Sequence, residues 1–175
     1  IQRLNYLQQL GVDALWLTPI YSSPQIDNGY DIADYYAIDP AFGSMADFEQ
    51  LVSACKQRGL HIIMDMVFNH TSTEHVWFKT ALRDPQSRFR DFYIWRDPVH
   101  GQEPNNWQSK FGGNAWAFDE NSGQYYLHLF SEQQADLNWE NPEVRAEIKK
   151  VLHFWADKGV DGFRLDVINL ISKQQ

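Results

Sequence analysis

Arg164 and Asp166 stand two residues apart in the run Gly159-Val160-Asp161-Gly162-Phe163-Arg164-Leu165-Asp166-Val167. If this run is a strand, alternate side chains share a face, so the guanidinium and the carboxylate lie together. An interior guanidinium favours the charged form of a neighbouring carboxylate. An ionised, oriented aspartate at a strand end is a candidate nucleophile. A buried Arg–Asp ion pair with no chemistry has the same signature, and this stretch alone leaves both readings open. A second candidate is His70, which follows Asn69 at the end of another apolar run. A histidine there can offer a ring nitrogen to a ligand, or be satisfied by backbone. Asp27-Asn28-Gly29-Tyr30 carries a carboxylate and a ring, but on its own it reads as a turn.

These residues need elements to place them. Ile1, Leu4, Leu7 and Leu10 recur on one flank of an opening helix that has no start signal before it, which suggests that further chain precedes it. Gly11 stops that helix, and Val12 to Leu17 reads as a buried strand. Ser44 is placed to cap a helix in which Phe48, Leu51, Val52 and Cys55 fall at i, i+3, i+4 and i+7. Gly59 ends it, and Leu60 to Val67 is a strand. Asn141 and Pro142 open a third helix with the apolar stripe Val144, Ile148, Val151, Leu152 and Trp155. Gly159 ends it ahead of the strand that reaches Asp166.

Helix, glycine and apolar strand in repeated succession predict an α/β fold with a helix-covered parallel sheet. Right-handed crossovers then allow a barrel or a doubly wound sheet. Neither G-x-G-x-x-G nor G-x-x-x-x-G-K-[ST] occurs, so nothing favours a nucleotide fold. In a barrel, chemistry gathers where strands end. The expected strand ends carry Thr18-Pro19, Asn69-His70 and Asp166. Residues from about 71 to 141 interrupt the pattern with a stretch rich in Trp, Asn, Gly and Tyr and poor in helical periodicity. Within it, Tyr125 to Phe130 reads as one short strand. Such an insertion is more often functional than passive.

Composition narrows the function. The 175 residues carry 15 Lys and Arg against 23 Asp and Glu, a net charge of -8, so no basic footprint for nucleic acid is expected. No apolar run reaches the length of a membrane span, and no signal peptide is visible. Cys55 is the single cysteine, reads as a small core residue, and fits a reducing, cytoplasmic setting. The 7 Trp, 8 Tyr and 11 Phe are mostly core, although ring faces also suit sugars.

Four blocks taken in order, GVDALWLTPI (11–20), DMVFNH (65–70), QADLN (134–138) and GFRLD (162–166), resemble the α-amylase superfamily of glycoside hydrolases (family 13), in its α-glucosidase and oligo-1,6-glucosidase branch. The resemblance implies a partial (β/α)8 TIM barrel holding about strands 2 to 4. Residues 1–70 and 142–175 would be barrel segments, with 71–141 an irregular subdomain inserted after strand 3. It implies retaining hydrolysis by two carboxylates about 5 Å apart. Asp166 would be the nucleophile, oriented by Arg164. His70 would bond a sugar hydroxyl. Asp27 would grip the terminal sugar's hydroxyls and Tyr30 would stack on its ring, giving an exo-acting enzyme. Phe111, Phe130 and Gln134 would line the pocket. Asp65 would support the barrel interior. No cofactor is implied. Asn69 matches a calcium ligand of α-amylases, but the site is usually missing from this branch, so no metal is expected.

Departures from the family pattern sharpen the substrate. In this branch a valine after the nucleophile, here Val167, goes with α-1,6 or α,α-1,1 bonds. Asn169 and Leu170 replace a Lys-His pair common in true α-amylases, which argues against endo-cleavage of starch. The stretches 104–113 and 169–173 look most like trehalose-6-phosphate hydrolases. That implies a small disaccharide phosphate as partner, with Lys110 as a point charge for the phosphate. Oligo-1,6-glucosidase or dextran glucosidase is the alternative enzyme. A catalytically inactive subunit of a membrane transporter is the non-enzyme alternative. The family's acid/base glutamate and a His-Asp pair follow the fifth and seventh strands, beyond these residues. Three strands also leave sheet edges uncovered. The 175 residues alone are therefore expected to be inactive and to need the rest of the barrel.

Overall fold

The molecule begins with helix α1 (Leu4–Gln9), strand β1 (Ala14–Leu17), strands β2 (Tyr21–Ser22) and β3 (Asp34–Ile38), helix α2 (Met45–Lys56), and strands β4 (His61–Val67) and β5 (His70–Ser72). Then come helix α3 (Val76–Arg83), strands β6 (Trp95–Arg96), β7 (Trp116–Asp119), β8 (Gln124–Leu127) and β9 (Gln134–Asp136), helix α4 (Pro142–Asp157) and strand β10 (Gly162–Asp166). Short 3-10 turns occur at Arg90–Phe92 and Ile168–Leu170. The computed structural model describes residues 1–173.

Local chemistry sets the boundaries of the two long helices. The Ser44 hydroxyl accepts from the Asp47 amide, and the Asp47 carboxylate accepts in return from the Ser44 amide. Such a reciprocal cap satisfies two amides that the helix itself leaves open, an effect of about 1 kcal/mol. Asn141 caps α4 through the Glu143 amide, with Pro142 opening the first turn. On α4, Val144, Ile148, Val151 and Trp155 are buried, as the apolar stripe predicts. Gly159 ends the following turn at φ 93°, and a Cβ there would meet Val52 Cγ1 at 3.0 Å. A side chain at this point would crowd Val52 and Lys56 of α2 and strain a left-handed backbone.

β1, β4 and β10 form one parallel sheet in the order β1-β4-β10. β4, with both neighbours present, is its centre, and Ile62, Met64, Met66 and Val67 on it are core. The register sets Arg164 opposite Asp65 and Asp166 opposite Val67. β1 and β10 are the outer strands, and Trp16 and Leu165 on them are 52% and 42% exposed. β2 and β3 pair antiparallel, enclosing the Asp27 loop. β5 pairs antiparallel with β9, and β6, β8 and β7 form a third small sheet. Ile94, Ala115, Trp116 and Leu127 make a separate small core beside that sheet.

The structure departs from the sequence reading in the long middle stretch. Helix α3 lies where little helical periodicity is visible. Its cap is His75, whose Nδ1 accepts from the Trp77 amide, rather than a Ser, Thr, Asp or Asn. Its buried residues Trp77, Phe78 and Ala81 are too few to display a period. The expected strand 125–130 runs instead over Gln124–Leu127. The expected strand 12–17 starts two residues later.

Candidate active site

At the centre of the site one arginine nitrogen joins two aspartates. Arg164 Nη1 donates to Asp65 Oδ1 at 3.0 Å and Oδ2 at 2.9 Å, and to Asp166 Oδ1 at 2.6 Å. The register brings this about, because Arg164 faces Asp65 across the sheet and shares a face with Asp166 along its own strand. Asp65 Oδ2 also accepts from the Tyr30 hydroxyl at 3.0 Å and from Trp16 Nε1 at 3.2 Å. The Trp16 ring receives the guanidinium at 5.2 Å. Burial pushes the Asp65 carboxyl above its ordinary value, and the hydrogen bonds from Arg164 and Tyr30 work against that rise. For Arg164, burial opposes the charge, but the bonds and charges of Asp65 and Asp166 outweigh it and raise its pKa. Burial and Asp65 push the Tyr30 phenol up to about 12, so it donates rather than ionises. The Asp166 side chain is 13% exposed.

Asp27 stands on a tight turn. Asn28 and Gly29 take positive φ of 50° and 94°, and the Tyr30 amide closes onto the Asp27 carbonyl at 2.9 Å. Only glycine suits the second position, where a Cβ would meet the Pro19 carbonyl oxygen at 3.0 Å. The loop is fastened from inside by Asp31, which is fully buried and accepts from the amides of Ile26 at 2.9 Å and Asp27 at 3.0 Å.

From Asp27 a polar chain leads inward. Gln134 Nε2 donates to Asp27 Oδ2 at 2.9 Å, while Gln134 Oε1 accepts from the Ser131 amide at 3.0 Å. Gln134 is fully buried, so it does not line a pocket as the resemblance implies but holds Asp27 from behind. His70 Nε2 lies 3.0 Å from the Tyr30 carbonyl, and Nδ1 lies 3.1 Å from Asn69 Nδ2. The ring is almost wholly buried, and burial lowers its pKa, so it is neutral. Nδ1 faces the Asn69 amide donor. Nε2 faces the Tyr30 carbonyl and, at 3.1 Å, the Gln134 amide nitrogen, whose protons have Asp27 Oδ2 and the Tyr30 carbonyl as acceptors. Nε2 is therefore the nitrogen placed to carry the proton. A sugar hydroxyl would have to share that Nε2–H with Tyr30.

The aromatic wall is continuous. The His70 and Phe130 rings lie 5.2 Å apart, and Phe130 and Phe111 5.5 Å apart. Phe111 is exposed and Phe130 partly buried. Beside this wall lies a cavity of about 610 Å³ lined by residues that include Asn106, Trp107, Lys110, Asn169 and Ser172. The turn that follows Asp166 therefore forms one of its sides.

The structure joins Asp27, Tyr30, His70, Gln134, Arg164 and Asp166 through direct contacts and Asp65, while Lys110 sits apart on the cavity. Reading the sequence passed over Asp31, because an aspartate four residues after another in a loop has no distinguishing spacing. It also passed over Trp16, whose indole nitrogen looks like core from its apolar neighbours. Asp65 was legible as an inward-facing support, but not as the residue that binds both Arg164 and Tyr30.

This fold and this site belong to one class. The chain is a member of the α-amylase family, matching its catalytic domain over residues 1–175. It is 65% identical to trehalose-6-phosphate hydrolase of Escherichia coli (strain K12), an alignment that covers 99% of this chain and 31% of that protein. It is 56% identical to oligo-1,6-glucosidase of Parageobacillus thermoglucosidasius, covering 99% of this chain and 31% of the other. The crystal structure of Bacillus licheniformis trehalose-6-phosphate hydrolase superimposes with a TM-score of 0.97 at 58% identity, over 98% of this chain and 31% of that one. The chain thus spans about a third of the length of these relatives. Among the described residues no helix is long and apolar enough to cross a membrane.

Proposed function

We propose that this chain carries the nucleophile half of a retaining α-glucosidase that hydrolyses trehalose 6-phosphate to glucose and glucose 6-phosphate. The observation that carries the reading is the Arg164 nitrogen shared between Asp65 and Asp166, which fixes Asp166 at the end of β10. In the first step the Asp166 carboxylate attacks the anomeric carbon and the bond to the leaving sugar's oxygen breaks. That oxygen takes a proton from an acid/base glutamate supplied outside these residues. In the second step the same glutamate takes a proton from water, which displaces Asp166. Asp27, held by Gln134 and Asp31, accepts hydroxyls of the glucose at the closed end of the pocket. Bonds to its charge are roughly twice as strong as neutral ones. His70 supplies one further donor, and Tyr30, Phe111 and Phe130 supply ring faces.

β1, β4 and β10 correspond in this reading to barrel strands 2 to 4, with residues 71–141 as the inserted subdomain. The identity to trehalose-6-phosphate hydrolases supports the phosphorylated substrate, as does the exposed Lys110 on the cavity beyond Phe111. A cytoplasmic setting fits a phosphorylated substrate. Cleavage of α-1,6 bonds is the second reading, supported by the 56% identity to an oligo-1,6-glucosidase.

The test is glucose release by the full-length protein from trehalose 6-phosphate, trehalose and isomaltose. The phosphorylated sugar is expected to be turned over best. Preference for isomaltose would move the assignment to the second reading. Lys110→Ala should raise KM for trehalose 6-phosphate on the order of tenfold, with little change for a neutral aryl glucoside. Equal effects on both would remove Lys110 from phosphate binding.

A further inference from the structure

Lys173 lies seven residues beyond Asp166, yet its side chain is only 4% exposed. Its ammonium reaches back to the ends of β5 and β9, 3.2 Å from Asp136 Oδ2 and 3.0 Å from Asn69 Oδ1. Asp136 and Asn69 are fully buried. Asp136 Oδ1 is occupied by the Leu129 amide at 3.0 Å and lies 3.3 Å from Asn69 Nδ2. An ammonium has three donors and no acceptor, so the Asn69 oxygen must face Lys173 and the Asn69 NH2 must face away from it. Away from Lys173 lies His70 Nδ1, at 3.1 Å. An N–H aimed at Nδ1 requires a lone pair there and hence a proton on Nε2. On the far side of the ring Nε2 meets the Tyr30 carbonyl at 3.0 Å. The Gln134 amide nitrogen is also 3.1 Å away, but its protons have Asp27 Oδ2 at 2.9 Å and the Tyr30 carbonyl at 3.4 Å as acceptors.

We propose that Lys173 is a positioning residue for the sugar site: by fixing which way the Asn69 amide points, it locks His70 in the tautomer that presents Nε2–H on the Tyr30 side. The relay is Lys173 Nζ to Asn69 Oδ1, then Asn69 Nδ2 to His70 Nδ1. Without the ammonium, only the long 3.3 Å contact from Asn69 Nδ2 to Asp136 Oδ1 opposes a turn of the amide that would present its oxygen to Nδ1. That turn would place the proton on Nδ1 and leave Nε2 to accept from the Gln134 amide at 3.1 Å. The relay also ties the segment after Asp166 to the segment that holds Asp27, through Gln134 on the same β9. Its effect on sugar binding rests on the reading of His70 given above, but the tautomer itself does not.

The experiment uses the full-length protein with ring-15N-labelled histidine, the His70 signals being assigned by their loss in His70→Asn. In the unsubstituted protein the protonated ring nitrogen is expected to be Nε2. Lys173→Met should convert His70 to Nδ1–H or to a mixture of the two forms, and Lys173→Arg should restore Nε2–H. In parallel, Lys173→Met should raise KM for the glucoside about tenfold with a smaller change in kcat, while Lys173→Arg recovers most of the loss. Should Lys173→Met fail to fold, Asn69→Asp tests the second link. It puts an acceptor at Nδ1 while keeping a partner for Lys173, and His70 should then carry a proton on Nδ1. A His70 that keeps its proton on Nε2 alone in folded Lys173→Met, or in Asn69→Asp, would overturn the relay. If the tautomer shifts as expected but the protein hydrolyses no α-glucoside, the relay stands and the glucosidase reading fails.

Discussion

Asp65 has no place in the proposed reacting set, yet it binds the arginine that holds Asp166. It takes hydrogen bonds from Arg164, Tyr30 and Trp16, three residues from three different segments. Replacing its carboxylate by an amide takes one of two negative charges from Arg164 and weakens the bond from the Tyr30 hydroxyl. Bonds to a charged group contribute about 1.5–3 kcal/mol each. Asp65→Asn in the full-length protein should therefore lower kcat/KM on the order of a hundredfold, which steady-state kinetics would show. Val167 is the other residue of note. Its backbone is left-handed, at φ 39° and ψ 35°, directly after Asp166. For a β-branched residue that conformation costs on the order of 1–3 kcal/mol, and glycine adopts it freely. Val167→Gly is expected to leave the melting temperature unchanged or raised while lowering kcat/KM, since a relaxed turn no longer aims the carboxylate. A drop in melting temperature with activity intact would show that the strain serves packing instead.

At the scale of elements, the helices and parallel strands were legible because their signals are local: a Ser or Asn cap, a glycine stop and an apolar period in between. Helix α3 was not, since a histidine caps it and eight residues carry barely two turns. Nor was the pairing of β5 with β9, which joins residues more than sixty apart and leaves no local trace. The same contrast holds in the site. Arg164 and Asp166 declare themselves by spacing, whereas the grip of Gln134 on Asp27 spans 107 residues and exists only in the fold. The Asp27 loop depends on Asp31, so Asp31→Ala, which strips acceptors from two amides, should raise KM about tenfold or more with a smaller loss in kcat.

His75 adds a pH dependence to α3. Burial against Trp77 and Tyr35 pushes its pKa down to about 3, against an ordinary 6.5. The folded state therefore binds fewer protons than the unfolded state between those values, and stability falls as pH drops through that window. One such group contributes a slope of up to about 1.4 kcal/mol per pH unit. His70, lowered in the same direction by burial, adds to it. Denaturant midpoints of the full-length protein measured from pH 7 to 4 should fall, and His75→Asn, which can still cap but does not titrate there, should flatten the curve. An unchanged slope would place the acid sensitivity elsewhere.

For the whole molecule, the parallel sheet ends on both sides in strands whose large side chains, Trp16 and Leu165, are half exposed. Open edges and bare apolar surface favour association with further chain, and the relatives are about three times longer. The 175 residues by themselves are expected to give neither a cooperative melt nor glucose release, where the full-length protein gives both. Above this stands the identity of the group that attacks the sugar. The most direct measurement is to trap the glycosyl-enzyme of the full-length protein with a fluorinated α-glucosyl fluoride and locate the added glucosyl mass by peptide mass spectrometry. The label is predicted on Asp166, with none formed in Asp166→Ala. A label on Asp65 or on a residue outside this chain, or turnover that survives Asp166→Ala, would contradict the account.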